Sequence, residues 1–112
     1  DQALAAERAR GQAVFVDFTA AWCVTCQVNK RLVLESEAVK RAFAARPITR
    51  MRADWTNQDA RITAALRRLG RSGVPVYAVY PARAGEGPEL LPELLTNDIV
   101  LRALERAVPG SS

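Results

Sequence analysis

Two cysteines, Cys23 and Cys26, are the residues of this chain best suited to covalent chemistry. They are separated by two residues and follow an apolar run, at the predicted start of a helix. This spacing lets both sulfurs meet within one helical turn. Free backbone N–H groups and the helix dipole stabilise a thiolate at the first cysteine, and a thiolate is the species that attacks a disulfide. The pattern therefore predicts a redox pair in which Cys23 is the nucleophile and Cys26 resolves the mixed disulfide.

Two other interpretations of the cysteine pair are a structural disulfide and half of a metal site. A disulfide that closes so short a loop adds little stability through chain entropy. The chain contains no histidine, so a zinc site with four cysteines would need a second chain. The absence of histidine also excludes Ser-His-Asp and Cys-His catalysis within the chain. We therefore favour the redox pair and expect no metal and no bound cofactor, because electrons would arrive by thiol exchange.

One carboxylate and one amine could adjust the protonation of the pair. Asp17 lies within an apolar segment, six residues before Cys23. A buried carboxylate has a raised pKa, so Asp17 can exchange a proton with Cys26 near neutral pH. The alternative for Asp17 is a hydrogen bond to a nearby hydroxyl or lysine. Lys30 shares a helix face with both cysteines at spacings of i, i+3 and i+7, where it would lower the thiol pKa, unless its side chain extends into solvent.

Apolar residues around the pair predict a surface for a partner protein. A short segment of the partner could lie across Val74 and Pro75 and pair with their backbone, as in strand addition. The bond before a proline can be cis at modest cost, but trans is the default expectation from sequence. Val76 is expected in the core rather than at the contact. The predicted contact residues are Trp22, Val24, Val74 and Pro75.

The order of predicted elements is α-β-α-(α)-β-α-β-β-α, which indicates an α/β fold with a central mixed sheet and helices on both faces. We expect residues 1–112 to form a single domain with a frayed tail at 109–112. Strands are predicted over Ala13–Thr19, Ile48–Trp55, Val74–Tyr80 and Glu89–Leu95. Helices are predicted over 2–10 and 20–34, from a Ser36 cap to Pro47, after a Thr56 or Asn57 cap, and after a Thr96 cap.

The overall composition is that of a globular domain. The chain has 112 residues, of which 49% are hydrophobic, and a formal net charge of +4. The basic residues are dispersed and accompany no nucleic-acid motif, so nucleic-acid binding is not expected. No apolar run is long enough to span a bilayer. The first residues lack the features of a signal peptide. Because the chain does not begin with Met, we expect a processed protein or a piece of a longer one.

Four segments of the chain together resemble a known family. Phe15–Cys26, with its buried Asp, Trp and Cys-x-x-Cys, and Gly73-Val74-Pro75 resemble the active-site segment and the cis-proline loop of thioredoxins. The resemblance covers about residues 12–108. It is closer to the C-terminal domains of DsbD-type thiol:disulfide interchange proteins and their ScsB-like relatives. The segments that carry this closer resemblance are Trp22–Cys26, Ala53–Asn57, Arg71–Tyr77 and Leu91–Thr96.

This resemblance implies a thioredoxin fold, a cis bond before Pro75, and a periplasmic domain of an inner-membrane protein. In that family the domain takes electrons from a membrane-embedded cysteine pair. It passes them to the N-terminal periplasmic domain of the same protein or to a soluble periplasmic thioredoxin-fold protein, through transient mixed disulfides. Cys23 would attack, Cys26 would resolve, Asp17 would be the buried acid, and Pro75 would lie against the disulfide and the substrate strand. We expect the isolated domain to be monomeric.

One position departs from that family, and two other functions stay open. DsbD-type domains can carry an acidic residue four positions after the second cysteine, where this chain has Lys30. The first alternative function is that of a free thioredoxin or a cytochrome-maturation reductase. The second is a thioredoxin-like binding module whose cysteine pair is structural.

Overall fold

The computed structural model describes residues 2–83 and 85–108, so the predicted tail at 109–112 lies outside the described residues. The α/β class, the mixed sheet and the predicted order of elements are confirmed. The elements are α1 (Gln2–Ala9), β1 (Ala13–Thr19), α2 (Val24–Asn29) with a π-helical continuation (Lys30–Leu34), α3 (Glu37–Ala44), β2 (Ile48–Asp54), α4 (Ala60–Arg68), β3 (Val76–Tyr80), β4 (Glu89–Leu90) and α5 (Asn97–Ala107).

The four strands form one sheet in the order β2-β1-β3-β4. Strand β1 is parallel to β2 and antiparallel to β3, and β4 is antiparallel to β3. The register places Asp17 of β1 beside Arg52 of β2 on one side and Tyr77 of β3 on the other. Directly paired residues of neighbouring strands share a sheet face. The three polar side chains therefore project from the same face of the sheet.

Helices cover both faces of the sheet, and β1 supplies residues to each side. On one face Phe15 packs against Phe43 of α3, with ring centroids 5.1 Å apart in an edge-to-face arrangement. Residues of α5 complete this layer, including Val100 and Leu104, which are fully buried. On the other face Val14, Val16 and Phe18 pack with Leu66 of α4. Strand β1 is thus covered on both sides, as its continuous apolar sequence predicts.

Two of the predicted helix caps are confirmed and one is wrong. The hydroxyls of Ser36 and Thr96 accept hydrogen bonds from the backbone N–H groups three residues later, at 3.3 and 3.1 Å. Helix α4 is capped by Asp59, which accepts from Ile62 at 3.1 Å, and not by Thr56 or Asn57. The reason is a turn after β2, in which the N–H of Gln58 donates to the carbonyl of Trp55 at 2.9 Å. Because of this turn, α4 is capped at Asp59 instead of at Thr56 or Asn57.

Three predicted boundaries also need correction. The helix that carries the cysteines begins at Val24 and not at residue 20, because a turn closes from the N–H of Cys23 to the carbonyl of Ala20 at 3.1 Å. The third strand begins at Val76, after a cis bond between Val74 and Pro75. Strand β4 is limited to Glu89–Leu90. The first of these corrections places Cys23 at the N-cap of α2, where a free helix-terminal N–H can reach its sulfur.

Candidate active site

The two cysteines form a disulfide at the start of α2, with their Cα atoms 5.2 Å apart. Cys23 is the N-cap residue, and its sulfur accepts a hydrogen bond from the backbone N–H of Cys26 at 3.1 Å. Cys23 retains 7% of its surface accessible and Cys26 only 2%. A partner can therefore approach Cys23 more readily than Cys26. The same N–H that contacts the sulfur in the disulfide would stabilise a Cys23 thiolate after reduction.

The proline loop lies against the cysteines. Val74 packs on the cluster formed by Ala20, Cys23 and Cys26. The bond between Val74 and Pro75 is cis, and Pro75 itself is buried. The predicted contact residue Val74 is therefore at the site. Val76, one residue after the proline, is 4% exposed and belongs to the core, as predicted.

Trp22 is held beside the disulfide by the turn that follows β2. Its indole N–H donates to the carbonyl of Thr56 at 3.0 Å, and its ring lies 5.9 Å from that of Trp55. The N–H of Ala21 also donates to the hydroxyl of Thr56 at 2.8 Å. Trp22 nevertheless remains 52% exposed, and Val24 is 76% exposed. Both predicted contact residues thus face solvent next to Cys23.

Asp17 lies in the central strand β1, and one of its carboxyl oxygens has no hydrogen-bond partner among the described residues. Its Oδ1 is buried and has no hydrogen-bond partner among the residues that the structure describes. Burial raises the pKa of this carboxyl above its ordinary value, while the nearby charges of Arg52, Arg50 and Lys30 act in the opposite direction. The alternative of a hydrogen bond from a hydroxyl or lysine is not realised at Oδ1. An unpaired buried carboxyl of this kind can accept and release a proton.

Lys30 lines a pocket of about 400 Å³ together with Asp17. The pocket opens beside β2, and its other charged lining residues are Glu35, Lys40, Arg50 and Arg52. Lys30 is half-buried, and its positive charge lowers the pKa of Asp17. The effect of Lys30 on the thiols, predicted from its shared helix face with the cysteines, stays a prediction. Its electrostatic influence on Asp17 is a second route by which it can act on the site.

A buried amide, Asn29, is the site residue that the sequence reasoning missed. It is 1% exposed, and its Nδ2 donates to the hydroxyl of Tyr77 at 2.9 Å and to the carbonyl of Glu93 at 2.7 Å. Its Oδ1 accepts from the N–H of Leu95 at 3.1 Å. Asn29 therefore joins the helix of the cysteines to β3 and to the loop before α5. The available signal was an asparagine three residues after Cys26, on the inward face of the helix.

Tyr77 is a neighbour of both Asn29 and Asp17. It is the cross-strand neighbour of Asp17 and is 1% exposed. Burial raises the pKa of Tyr77 to about 12, the hydrogen bond from Asn29 opposes that shift, and the charge of Asp17 adds to it. The phenol therefore stays neutral at physiological pH. Among the described residues, no cluster of three or more acidic, cysteine or histidine side chains could hold a metal ion.

Comparison with known proteins places these features in one family. The family model described as thioredoxin-like matches residues 1–82. The chain is 31% identical over 108 residues to the thiol:disulfide interchange protein DsbD of Ralstonia nicotianae, and 33% identical over 88 residues to that of Cronobacter sakazakii. These alignments cover 96% and 79% of this chain but 17% and 15% of the relatives. The chain thus spans about one sixth of their length.

Solved structures agree with this result. The oxidised C-terminal domain of Neisseria meningitidis DsbD matches with a TM-score of 0.74 and 24% identity, over 96% of both chains. A thioredoxin from Thermus thermophilus matches with a TM-score of 0.73 and 25% identity, over 94% of this chain and 80% of that one. These matches establish the fold that positions Cys23, Cys26 and Pro75.

Proposed function

The chain belongs to the thioredoxin-like family, and on that basis we propose that it is a thiol:disulfide oxidoreductase that relays electrons between proteins. The observation that carries this proposal is the Cys23–Cys26 disulfide at the N-terminus of α2, with the Cys23 sulfur on a helix-terminal N–H. The packing of Val74 on the same cluster supports it, because the proline loop then lies next to the two sulfurs.

The reductive half-reaction begins with the dithiol form of the chain. The Cys23 thiolate attacks one sulfur of the partner disulfide, which forms a mixed disulfide and releases the other partner sulfur as a thiolate. The Cys26 thiol then loses its proton and attacks the sulfur of Cys23, which releases the second partner sulfur. The chain ends as the Cys23–Cys26 disulfide, oxidised by two electrons, and the partner ends as a dithiol. A reduced upstream dithiol returns the chain to its starting state by the reverse sequence.

Asp17 is proposed to accept the proton that Cys26 must lose. The raised pKa of its buried carboxyl supports this role, because a base works best when its pKa is near the working pH. No imidazole is available for the task, since the chain has no histidine. Pro75 and Val74 would bind an extended segment of the partner through backbone hydrogen bonds.

The partners and the location are proposed from the relatives. The relatives carry the name of thiol:disulfide interchange proteins, and the chain corresponds to a part of them. We propose that this chain is likewise a periplasmic domain of an inner-membrane protein. It would take electrons from a membrane-embedded cysteine pair and pass them to an N-terminal periplasmic domain or to a soluble thioredoxin-fold partner. Among the described residues, none of the helices has both the length and the hydropathy of a membrane span.

The test is reduction of insulin disulfides by the chain, with dithiothreitol as the electron source. Cys23→Ser should abolish the catalysed rate, and Cys26→Ser should accumulate a mixed disulfide. A Cys23→Ser variant with intact activity would overturn the proposal and favour a binding module with a structural disulfide. Equilibration with glutathione then separates the redox roles. A strongly reducing potential supports the relay, whereas a value of about −120 mV is typical of an oxidase.

A further inference from the structure

The pocket beside Asp17, here called the cationic pocket, carries more basic than acidic side chains. Its volume of about 400 Å³ lies within the range of pockets that bind small molecules. Four basic side chains meet two acidic ones, so an excess of two positive charges remains when both carboxyls are ionised. The charged residues that line it are Asp17, Lys30, Glu35, Lys40, Arg50 and Arg52. The cationic pocket is therefore suited in size and charge to a small anion.

The two arginines of the cationic pocket project from one face of β2. Arg50 and Arg52 are two residues apart, so their side chains point to the same side of the strand, with Cα atoms about 6.6 Å apart. Their register partners on β1 are Phe15 and Asp17, which share that face of the sheet. Strand β2 is an edge strand, and both arginines are exposed. A ligand can therefore reach the two guanidinium groups from solvent.

Arg50 is held in place by an aromatic ring. Its guanidinium carbon lies over the ring of Phe43, 4.1 Å from the centroid. This contact uses the flat face of the guanidinium group and leaves the N–H donors in its plane available to an oxyanion. Phe43 is itself fixed by its edge-to-face contact with Phe15. Arg50 is therefore positioned before a ligand binds, which lowers the entropy cost of binding.

Three basic side chains of the cationic pocket have no acidic partner. Within the part of the chain that the structure describes, Lys30, Arg50 and Arg52 form no ion pair. Asp17 is the register partner of Arg52, yet its buried Oδ1 accepts no hydrogen bond from a described residue. Burial and the charge of Arg52 lower the pKa of Arg50, while the charge of Asp17 opposes them. The fold thus holds positive charges close together, and a bound anion would relieve their repulsion.

We propose that the cationic pocket binds a small oxyanion with two negative charges through Lys30, Arg50 and Arg52. This site is separate from disulfide exchange at Cys23 and does not depend on the proposed function. The planar fork of each arginine matches two oxygens of such a ligand, and the ammonium group of Lys30 adds a further donor. The ligand shares these cations with the carboxylate of Asp17, so the two negative charges oppose each other. The anion therefore binds more tightly when Asp17 is neutral, and by linkage it favours the protonated form of Asp17.

The experiment measures the binding of inorganic phosphate to the oxidised chain at about pH 8, where phosphate carries mostly two charges. Amide chemical shifts of the isotope-labelled chain are followed during the titration, with sodium chloride of equal ionic strength as the reference for screening. The variant is Arg50→Gln with Arg52→Gln, and Lys30→Gln is a second, single substitution that tests the same site. The matched control is Arg67→Gln with Arg71→Gln, which removes equal charge from exposed positions outside the pocket. Circular dichroism checks the fold of each variant.

We expect saturable shifts at residues that line the cationic pocket, larger than those in chloride. The arginine double variant should raise the phosphate Kd at least about tenfold, because charged hydrogen bonds to the ligand are lost. Lys30→Gln should also raise it, whereas the control should change it by less than about twofold. Asp17→Asn should lower the Kd, because it removes the competing charge.

Three results would overturn the proposal. The first is phosphate shifts equal to those in chloride, which would show screening of surface charge only. The second is an equal loss of affinity in the arginine double variant and in the control. The third is weaker phosphate binding by a folded Asp17→Asn chain. The insulin assay is independent of all three, so the proposed function stands or falls separately.

Discussion

Replacement of Asn29 by Ala tests how strongly the helix of the cysteines is tied to the rest of the fold. The substitution leaves two fully buried partners without a hydrogen bond, the hydroxyl of Tyr77 and the N–H of Leu95, and a part-buried one, the carbonyl of Glu93. An unsatisfied buried polar group costs about 1–3 kcal/mol. We therefore expect Asn29→Ala to lower the free energy of unfolding by about 2–5 kcal/mol, from a typical total of about 5–15 kcal/mol.

The assay is urea denaturation of the oxidised chain, followed by far-UV circular dichroism. Asn57→Ala is the control, because Asn57 is exposed in the turn before α4 and surface changes of this kind usually alter stability by less than about 0.5 kcal/mol. Tyr77→Phe removes one of the three hydrogen bonds and should cost about 1 kcal/mol. In the Asn29→Ala background its cost should fall towards zero, which gives a coupling free energy of about 1 kcal/mol.

A loss below about 1 kcal/mol for Asn29→Ala, equal to that of Asn57→Ala, would refute the reasoning. It would mean that water replaces the amide at its partners, and that the loop of Leu94 is not held by Asn29. An Asn29→Ala loss in the expected range with no coupling to Tyr77→Phe would show that the amide acts through Glu93 and Leu95 alone.

Further predictions concern charge and capping. Asp17→Asn should stabilise the chain at pH 7 and slow the resolution step. Because burial raises the carboxyl pKa, the native state binds more protons than the unfolded state between the ordinary pKa of about 3.8 and the raised native pKa. Ionised Asp17 therefore costs stability above that range, and the gain from Asp17→Asn should disappear below about pH 3.8 in a denaturation series. Lys30→Glu should raise the pKa of Asp17 in a carboxyl NMR titration, with Lys30→Gln between it and the wild type, and added salt should reduce the difference. An unchanged Asp17 pKa in Lys30→Glu would contradict the electrostatic link. Ser36→Ala should cost about 1 kcal/mol in thermal or urea unfolding, because the cap of Val39 is lost, and a neutral result would contradict that capping role.

The cysteine pair and the main strands could be predicted because their signals are local. Cys23 and Cys26 are informative by spacing alone, and Ala13–Thr19 is a strand with the bounds expected from its apolar run. The start of α4 could not be assigned, since Thr56, Asn57 and Asp59 are all good capping residues. The turn between Trp55 and Gln58 decides among them, and it depends on the backbone path after β2.

The buried network around Asn29 escaped prediction for a different reason. Its partners lie 48, 64 and 66 residues away in sequence, so no local pattern connects them. The π-helical turn after Asn29 is equally hidden: the N–H of Glu35 donates to the carbonyl of Lys30 at 2.9 Å, five residues back. A wider turn of this kind changes which side chains face inward, and such turns often occur at functional sites.

The absence of histidine explains why the surroundings of Asp17 matter for the proposed chemistry. Burial makes the protonated form of its carboxyl favourable, and the charges of Arg52, Arg50 and Lys30 favour the ionised form. These opposing effects let a single carboxyl exchange a proton without a permanent ion pair at its buried oxygen. Loss of a neighbouring cation should raise the pKa of Asp17 and favour the protonated acid. Loss of burial should lower that pKa and favour the carboxylate. The pH dependence of Cys26 reactivity should therefore respond in opposite directions to Lys30→Glu and to a substitution that opens the pocket beside Phe15.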